Sequence, residues 1–294
     1  MIVFEVRSFC GPQELGNSHL VCFGLGVSSE RVSILCAPHI IVDLSFDAYG
    51  PRAEFFQFGK RILRCGSGYL AAAAILHQKA FSHERTKIAR ADIGHPHSCT
   101  GSENISLRTS WKTILLSQDT DGSLAKRHCQ YSFKFPIENL PYVSNDTNVS
   151  RFVDAPVLYS FYIGGKHDYL ALILGSEKAV QNCRVRLNIL KKYCQRSLII
   201  SSVSSSSIFD CVVRYFAPRY SPHEDQATGS ANAFLARYWQ KRLNKRSVLV
   251  KQLSRDGGVL KVTRSGLNQK VSGQVSIEKQ YSHNNIEKII HELG

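Results

Sequence analysis

Two short runs in this 294-residue chain combine glycine and a hydroxyl residue with a potential acid or nucleophile. One is Cys65-Gly66-Ser67-Gly68, and the other is Asp225-Gln226-Ala227-Thr228-Gly229-Ser230. Each opens a stretch with helical character, at 69–79 and 231–243. The first turn of a helix leaves backbone N–H groups without intrahelical partners, and the helix dipole makes that end positive. Glycine and serine there let an anion approach the backbone closely. Ser67, Gly68, Thr228, Gly229 and Ser230 are therefore candidate contacts for a carboxylate or a similar anion. For either run alone the competing explanation is ordinary capping, with Thr228 as the N-cap. Asp225 precedes the second run and is a candidate general acid or base. Cys65 holds the matching place before the first run. A helix N-terminus lowers a thiol pKa and makes Cys65 a candidate base, whereas simple burial is the commoner role for a lone cysteine.

The elements that must carry these residues show a repeat. Tyr69 to Leu76 is apolar on every side, as expected of a helix at the centre of a domain. In the second helix Phe234, Leu235, Tyr238 and Trp239 form a core face, while Arg237, Lys241 and Lys245 point away. Cys65 and Thr228 are separated by 163 positions, and each follows a run of strand-like segments. Ser29–Asp43 leaves helix and strand open, and 177–193 reads as a helix with Val180, Cys183, Leu187 and Leu190 on one face. The expected fold is α+β: two pseudo-symmetric domains, each a mixed or antiparallel sheet wrapped around a central helix. The boundaries implied are 1–122 and 123–279, with a tail at 280–294 packing on the first domain. A substrate would then sit in the cleft between two helix mouths.

Composition narrows the function class without choosing it. Lys and Arg number 37 against 23 Asp and Glu, a formal charge of +14 that favours anionic partners. From Arg237 to Arg255 there are seven basic residues and no acidic one. No nucleic-acid motif accompanies them, so a solvated face is the expected reading and nucleic-acid binding the minor alternative. The nine cysteines are odd in number, scattered, and free of a C-x-x-C pair, which argues against a disulfide framework and for a reducing cytoplasm. His95, His97 and Cys99 are close in sequence but lack a partner pair, so no metal is expected. The start, MIVFEVRSF, lacks a signal-peptide pattern, and no run approaches the roughly 20 apolar residues of a membrane span. The expectation is a cytoplasmic protein with no membrane contact.

Arg214-Tyr215-Phe216-Ala217-Pro218, then Glu224-Asp225-Gln226-Ala227-Thr228-Gly229-Ser230-Ala231, then Leu235-Ala236-Arg237-Tyr238-Trp239 resemble the signature of the PhzF-like family of isomerases. Gln252-Leu253-Ser254-Arg255-Asp256-Gly257-Gly258 is similar to a further family stretch with one residue inserted. The N-terminal half fits more loosely, with Gly16-Asn17 and with Leu63-Arg64-Cys65-Gly66-Ser67-Gly68. The resemblance implies a diaminopimelate epimerase-like fold, a homodimer, no cofactor, and acid/base isomerisation of a small carboxylated metabolite. It implies Asp225 as the acid/base, helped by Cys65 or Asp47. The family's glutamate column holds Phe46 here, so Asp47 replaces it only if the strand register shifts. The family's histidine is Ser67, and the proline after its aspartate is Gln226. These departures keep a second reading open, that of a catalytically silent binding or scaffold member.

Overall fold

The computed structural model describes residues 2–25, 28–78, 104–119, 129–137, 142–143, 147–164, 168–221, 224–282 and 286–293. The chain divides into two compact units. The first comprises residues 1–8, 17–133 and 273–294; the second comprises 9–16 and 134–272.

In the first unit the strands are β1 (Ile2–Cys10), β2 (Asn17–Phe23), β3 (Ile40–Asp47), β4 (Gly50–Gln57), β5 (Lys60–Ile62), β6 (Ile105–Thr109), β7 (Thr113–Asp119) and β8 (Cys129–Pro136). Their order is β1-β2-β3-β4-β6-β7-β8, and β5 pairs only with β4. The last strand of the chain, running from Asn268 to Ser282, follows β8 and also pairs with β1, closing the strands into a barrel. Helix α1 (Ser29–Leu35) lies between β2 and β3 in sequence, and helix α2 (Gly66–His77) between β5 and β6. All residues of α2 from Gly66 to Leu76 are buried. Its Tyr69 ring meets Phe55 and Phe133 edge-on, at centroid distances of 5.3 and 5.2 Å. A helix this short and apolar all round is stable in water only as the filling of a barrel.

The second unit repeats the scheme. Its strands are β9 (Tyr142–Val143), β10 (Val157–Ile163), β11 (Tyr169–Leu174), β12 (Ser197–Val203), β13 (Cys211–Phe216), β14 (Ser247–Gln252), β15 (Gly258–Ser265) and β16 (Asn268–Ser282), in the order β9 to β16 without reshuffling. From β1 to β7, leaving out β5, pairings run antiparallel, parallel, antiparallel, parallel, antiparallel. From β10 to β15 the same alternation recurs. In both units the parallel steps are the ones bridged by helices, because a parallel connection must carry the chain back along the sheet. Helices α3 (Glu177–Asn182) and α4 (Leu187–Tyr193) bridge β11 and β12, and α5 (Gly229–Arg242) bridges β13 and β14. Helix α6 (Ile286–Leu293) follows β16, and its Ile289 is buried beside Val3 and Tyr281 in the first unit.

Two expectations need correction. The segment 177–193 is not one helix but α3 and α4, because loop 152–154 captures the intervening backbone. Arg184 N–H donates to Asp154 Oδ1 at 2.8 Å, and Arg186 N–H donates to the Phe152 carbonyl at 2.8 Å. The central helices also begin at Gly66 and Gly229, earlier than read. The first helical bonds run from Tyr69 N–H to the Cys65 carbonyl and from Asn232 N–H to the Thr228 carbonyl, so the glycines lie inside the first turn. His95, His97 and Cys99 lie outside the described residues.

Candidate functional site

The approach to α5 is built by three side chains that pin backbone. Arg214, on β13, holds Glu224 through two parallel bonds, Nε to Oε1 and Nη2 to Oε2, both 2.8 Å. Its third nitrogen donates to the Cys183 carbonyl at 2.7 Å and to the Val180 carbonyl at 3.2 Å. The bond from Glu224 raises the Arg214 pKa further above its ordinary value. Bidentate geometry fixes orientation as well as charge. With Glu224 anchored, the Asp225 N–H donates to the Tyr215 carbonyl at 3.1 Å.

Gln252 is the second pin. It is fully buried at the end of β14. Its Nε2 donates to the Asp225 carbonyl at 2.7 Å, and its Oε1 accepts the Thr228 N–H at 2.9 Å and Asn232 Nδ2 at 3.2 Å. One amide therefore sets the backbone on both sides of the Asp225–Thr228 turn. The Thr228 hydroxyl donates to Asp225 Oδ2 at 2.6 Å, which orients the carboxylate. Thr228 occupies the N-cap position of α5, but its side chain caps no N–H. The buried Ser230 hydroxyl accepts from Tyr169 Oη at 3.1 Å. What results is a partly exposed carboxylate at the opening of a 14-residue helix whose first turn carries no side-chain cap.

Gln226 is the third pin. Its Oε1 accepts the Asp256 N–H at 3.0 Å, and its carbonyl accepts the Ser254 hydroxyl at 2.6 Å. Asp256 belongs to the Ser254–Gly257 turn, and a proline at position 226 would offer it no side-chain acceptor. Behind it Gly258 is required: a Cβ there would lie 2.4 Å from Ala227 Cβ.

In the first unit, Cys65 is the N-cap of α2 and again no side chain caps the helix. Cys65 and Ser67 are both buried, with Sγ and Oγ 3.7 Å apart. Gly68 sits against Phe55, where a Cβ would come within 2.6 Å of the ring. Asp47 is placed differently. The β3–β4 register is continuous from Ile41 to Asp47, so Phe46 stays on the face of Val42 and Leu44, and Asp47 is on the other face. Its carboxylate is ion-paired with Arg108 and accepts the Tyr49 N–H at 2.8 Å. The Arg108 bond, with that N–H behind it, lowers the Asp47 pKa below the usual carboxylate range.

Gln252, and the roles of Gln226 and of the Arg214–Glu224 pair, were not singled out from sequence. Arg214, Glu224 and Gln252 all fall within the quoted motifs, and that is the signal that could have found them. Among the described residues no disulfide forms and no cluster of three or more metal-ligating side chains is present. Among them, too, no helix is long and apolar enough to cross a membrane.

A family model described as phenazine biosynthesis-like protein (PhzC-PhzF) matches residues 98–280, more than half of the chain. An uncharacterized isomerase from Halalkalibacterium halodurans is 33% identical over 114 residues, covering 38% of this chain and 43% of the relative. The match thus spans less than half of that relative's length. A PhzF-family phenazine biosynthesis protein from Enterococcus faecalis superposes with a TM-score of 0.77 at 18% identity, over 97% of this chain and 99% of that one. A probable proline racemase from Agrobacterium radiobacter shares the fold at a TM-score of 0.58 and 10% identity, over 96% and 92%. With the repeated helix-in-sheet units and the Asp225 turn, these likenesses place the chain in one family: it belongs to the phenazine biosynthesis-like (PhzC-PhzF) proteins.

Proposed function

We propose that the protein is a cofactor-independent isomerase that moves a proton on a small carboxylated metabolite, with Asp225 as its acid/base. The observation that carries this reading is the Asp225 carboxylate held by the Thr228 hydroxyl at 2.6 Å beside an uncapped helix opening. Proton transfer needs a positioned ionisable group, and isomerisation next to a carboxylate develops negative charge on oxygen. The first-turn N–H groups at Gly229 and Ser230 offer donors for that charge, aligned with the helix dipole. Cys65, Ser67 and Gly68 hold the corresponding places at α2 and are assigned contacts of the same class. A homodimer in a reducing cytoplasm completes the proposal, supported by family resemblance and by the odd number and scattered spacing of the nine cysteines.

The test is proton exchange in D₂O, followed by NMR, over a panel of hydroxylated and unsaturated cyclic carboxylates. Asp225→Asn keeps the shape of the turn and should slow exchange by roughly 10²–10⁴-fold. Undiminished exchange in that variant removes Asp225 from the mechanism. The ion pairing of Asp47 with Arg108 favours a second reading, in which the first unit supplies no acid and the protein binds without turnover. Absence of exchange with every member of the panel, with binding retained, would select it.

A further inference from the structure

The basic run that opens at Arg237 reads from sequence as a solvated face, but the fold gathers its arginines rather than spreading them. Helix α5 is buried except at Arg237, Tyr238, Lys241 and Arg242, in the half that leads away from Asp225. Arg237 Nη2 donates to the Leu267 carbonyl, in the turn after β15, at 3.1 Å. Arg264, near the end of β15, lies close enough that its charge, after burial, lowers the Arg237 pKa. Arg246 is opposite Arg264: the Arg264 N–H donates to the Arg246 carbonyl at 3.0 Å, and Arg246 Nε donates to the Arg264 carbonyl at 3.3 Å. On the other flank Phe161 of β10 stacks on Tyr238 with ring centroids 4.9 Å apart. Tyr159, two residues before Phe161, shares that face of the strand and is 55% exposed.

Like charges opposed on neighbouring strands are destabilising. Among the described residues no carboxylate pairs with Arg237, Lys241, Arg242, Arg246 or Arg264. The nearby Lys245 differs, being paired with Asp210 at 2.5 Å. An anion with several charges removes the repulsion, and guanidinium groups suit phosphate oxygens. Exposed aromatic rings beside the cations add a demand that charge alone does not meet: the ligand should carry planar groups between its phosphates. A duplex has its base faces covered, and an acidic peptide has none.

We propose that the arginine-rich face at the C-terminal half of α5, with Tyr159 at its rim, binds single-stranded nucleic acid. The test is fluorescence anisotropy of the full chain with a labelled oligouridylate of about 20 nucleotides. Five cations at about 0.7 each give a slope of about −3.5 in log affinity against log salt, so affinity should fall on the order of 100-fold between about 50 and 200 mM salt. Arg242→Gln with Arg264→Gln, both at exposed positions, should reduce that slope by about 1.4. Tyr159→Ala should weaken binding about 10-fold and leave the slope unchanged, because it removes stacking and not charge. Lys191→Gln with Lys192→Gln takes the same charge from exposed positions on α4 and should leave the slope as it is. The proposal is overturned by no binding at the lower salt, by an equal change of slope in the α4 pair, by undiminished binding in Tyr159→Ala, or by equal affinity for a duplex of the same length or for polyglutamate.

Discussion

His19 makes the stability of this protein depend on acid in a way that can be worked out from the structure. Its pKa falls from 6.5 to about 3 in the folded state, with burial as the main cause. As the pH drops, the unfolded chain therefore takes up the proton first. The stability gained by keeping the ring neutral is complete above about pH 6.5 and drains away as pH falls toward about 3. Between pH 6.5 and 5 the folded ring stays neutral, so the loss is about 1.5 units at ~1.4 kcal/mol each, or about 2 kcal/mol. The residues that tune it are Arg7 and His39, whose charges disfavour the imidazolium further. His39 is itself lowered, by burial first, and contributes in the same direction. The carboxylates with lowered values, Glu30, Asp47 and Glu177, act at more acid pH and leave this window to the histidines. The assay is urea unfolding at pH 7 and pH 5 for the wild type, His19→Gln and His39→Gln. The wild type should lose about 2 kcal/mol more than His19→Gln between the two pH values. Parallel losses in these two proteins would falsify the assignment of a neutral, buried His19.

Other substitutions probe the turn that holds Asp225. Gln252→Leu removes the partner of the Asp225 carbonyl, the Thr228 N–H and the Asn232 amide, and should cost about 2 kcal/mol or more in chemical denaturation while also slowing exchange. Arg214→Lys keeps the charge but loses the paired bonds to Glu224; it should lower the exchange rate without abolishing folding, and an unchanged rate would argue against the clamp. Gly258→Ala forces a Cβ to 2.4 Å from Ala227 and should cost about 1–3 kcal/mol, read as a lowered Tm. Gln226→Ala deletes the acceptor for the Asp256 N–H and should cost about 1 kcal/mol, with faster amide exchange at Asp256 as its signature.

What the sequence determined by itself was local. An apolar stretch such as Tyr69–Leu76 has no water-facing side, so it had to be a central helix, and α2 is fully buried. That glycine runs open the two central helices was legible because turn chemistry is written in neighbouring residues, although the helices start at Gly66 and Gly229 rather than at 69 and 231. The twofold α+β plan followed from their spacing. Only tertiary structure decided the rest, because it depends on residues far apart in the chain. The break between α3 and α4 comes from Asp154 and Phe152, some 30 residues upstream. Strand register, not composition, puts Phe46 on the α2 side and Asp47 on the other. Gln252 reads as an ordinary strand residue until β14 brings it against the Asp225–Thr228 turn, where a single buried amide meets backbone that it follows by 24 to 27 positions. His19 shows the same limit: only the closed set of strands, not its sequence neighbours, buries the ring completely and so holds it neutral.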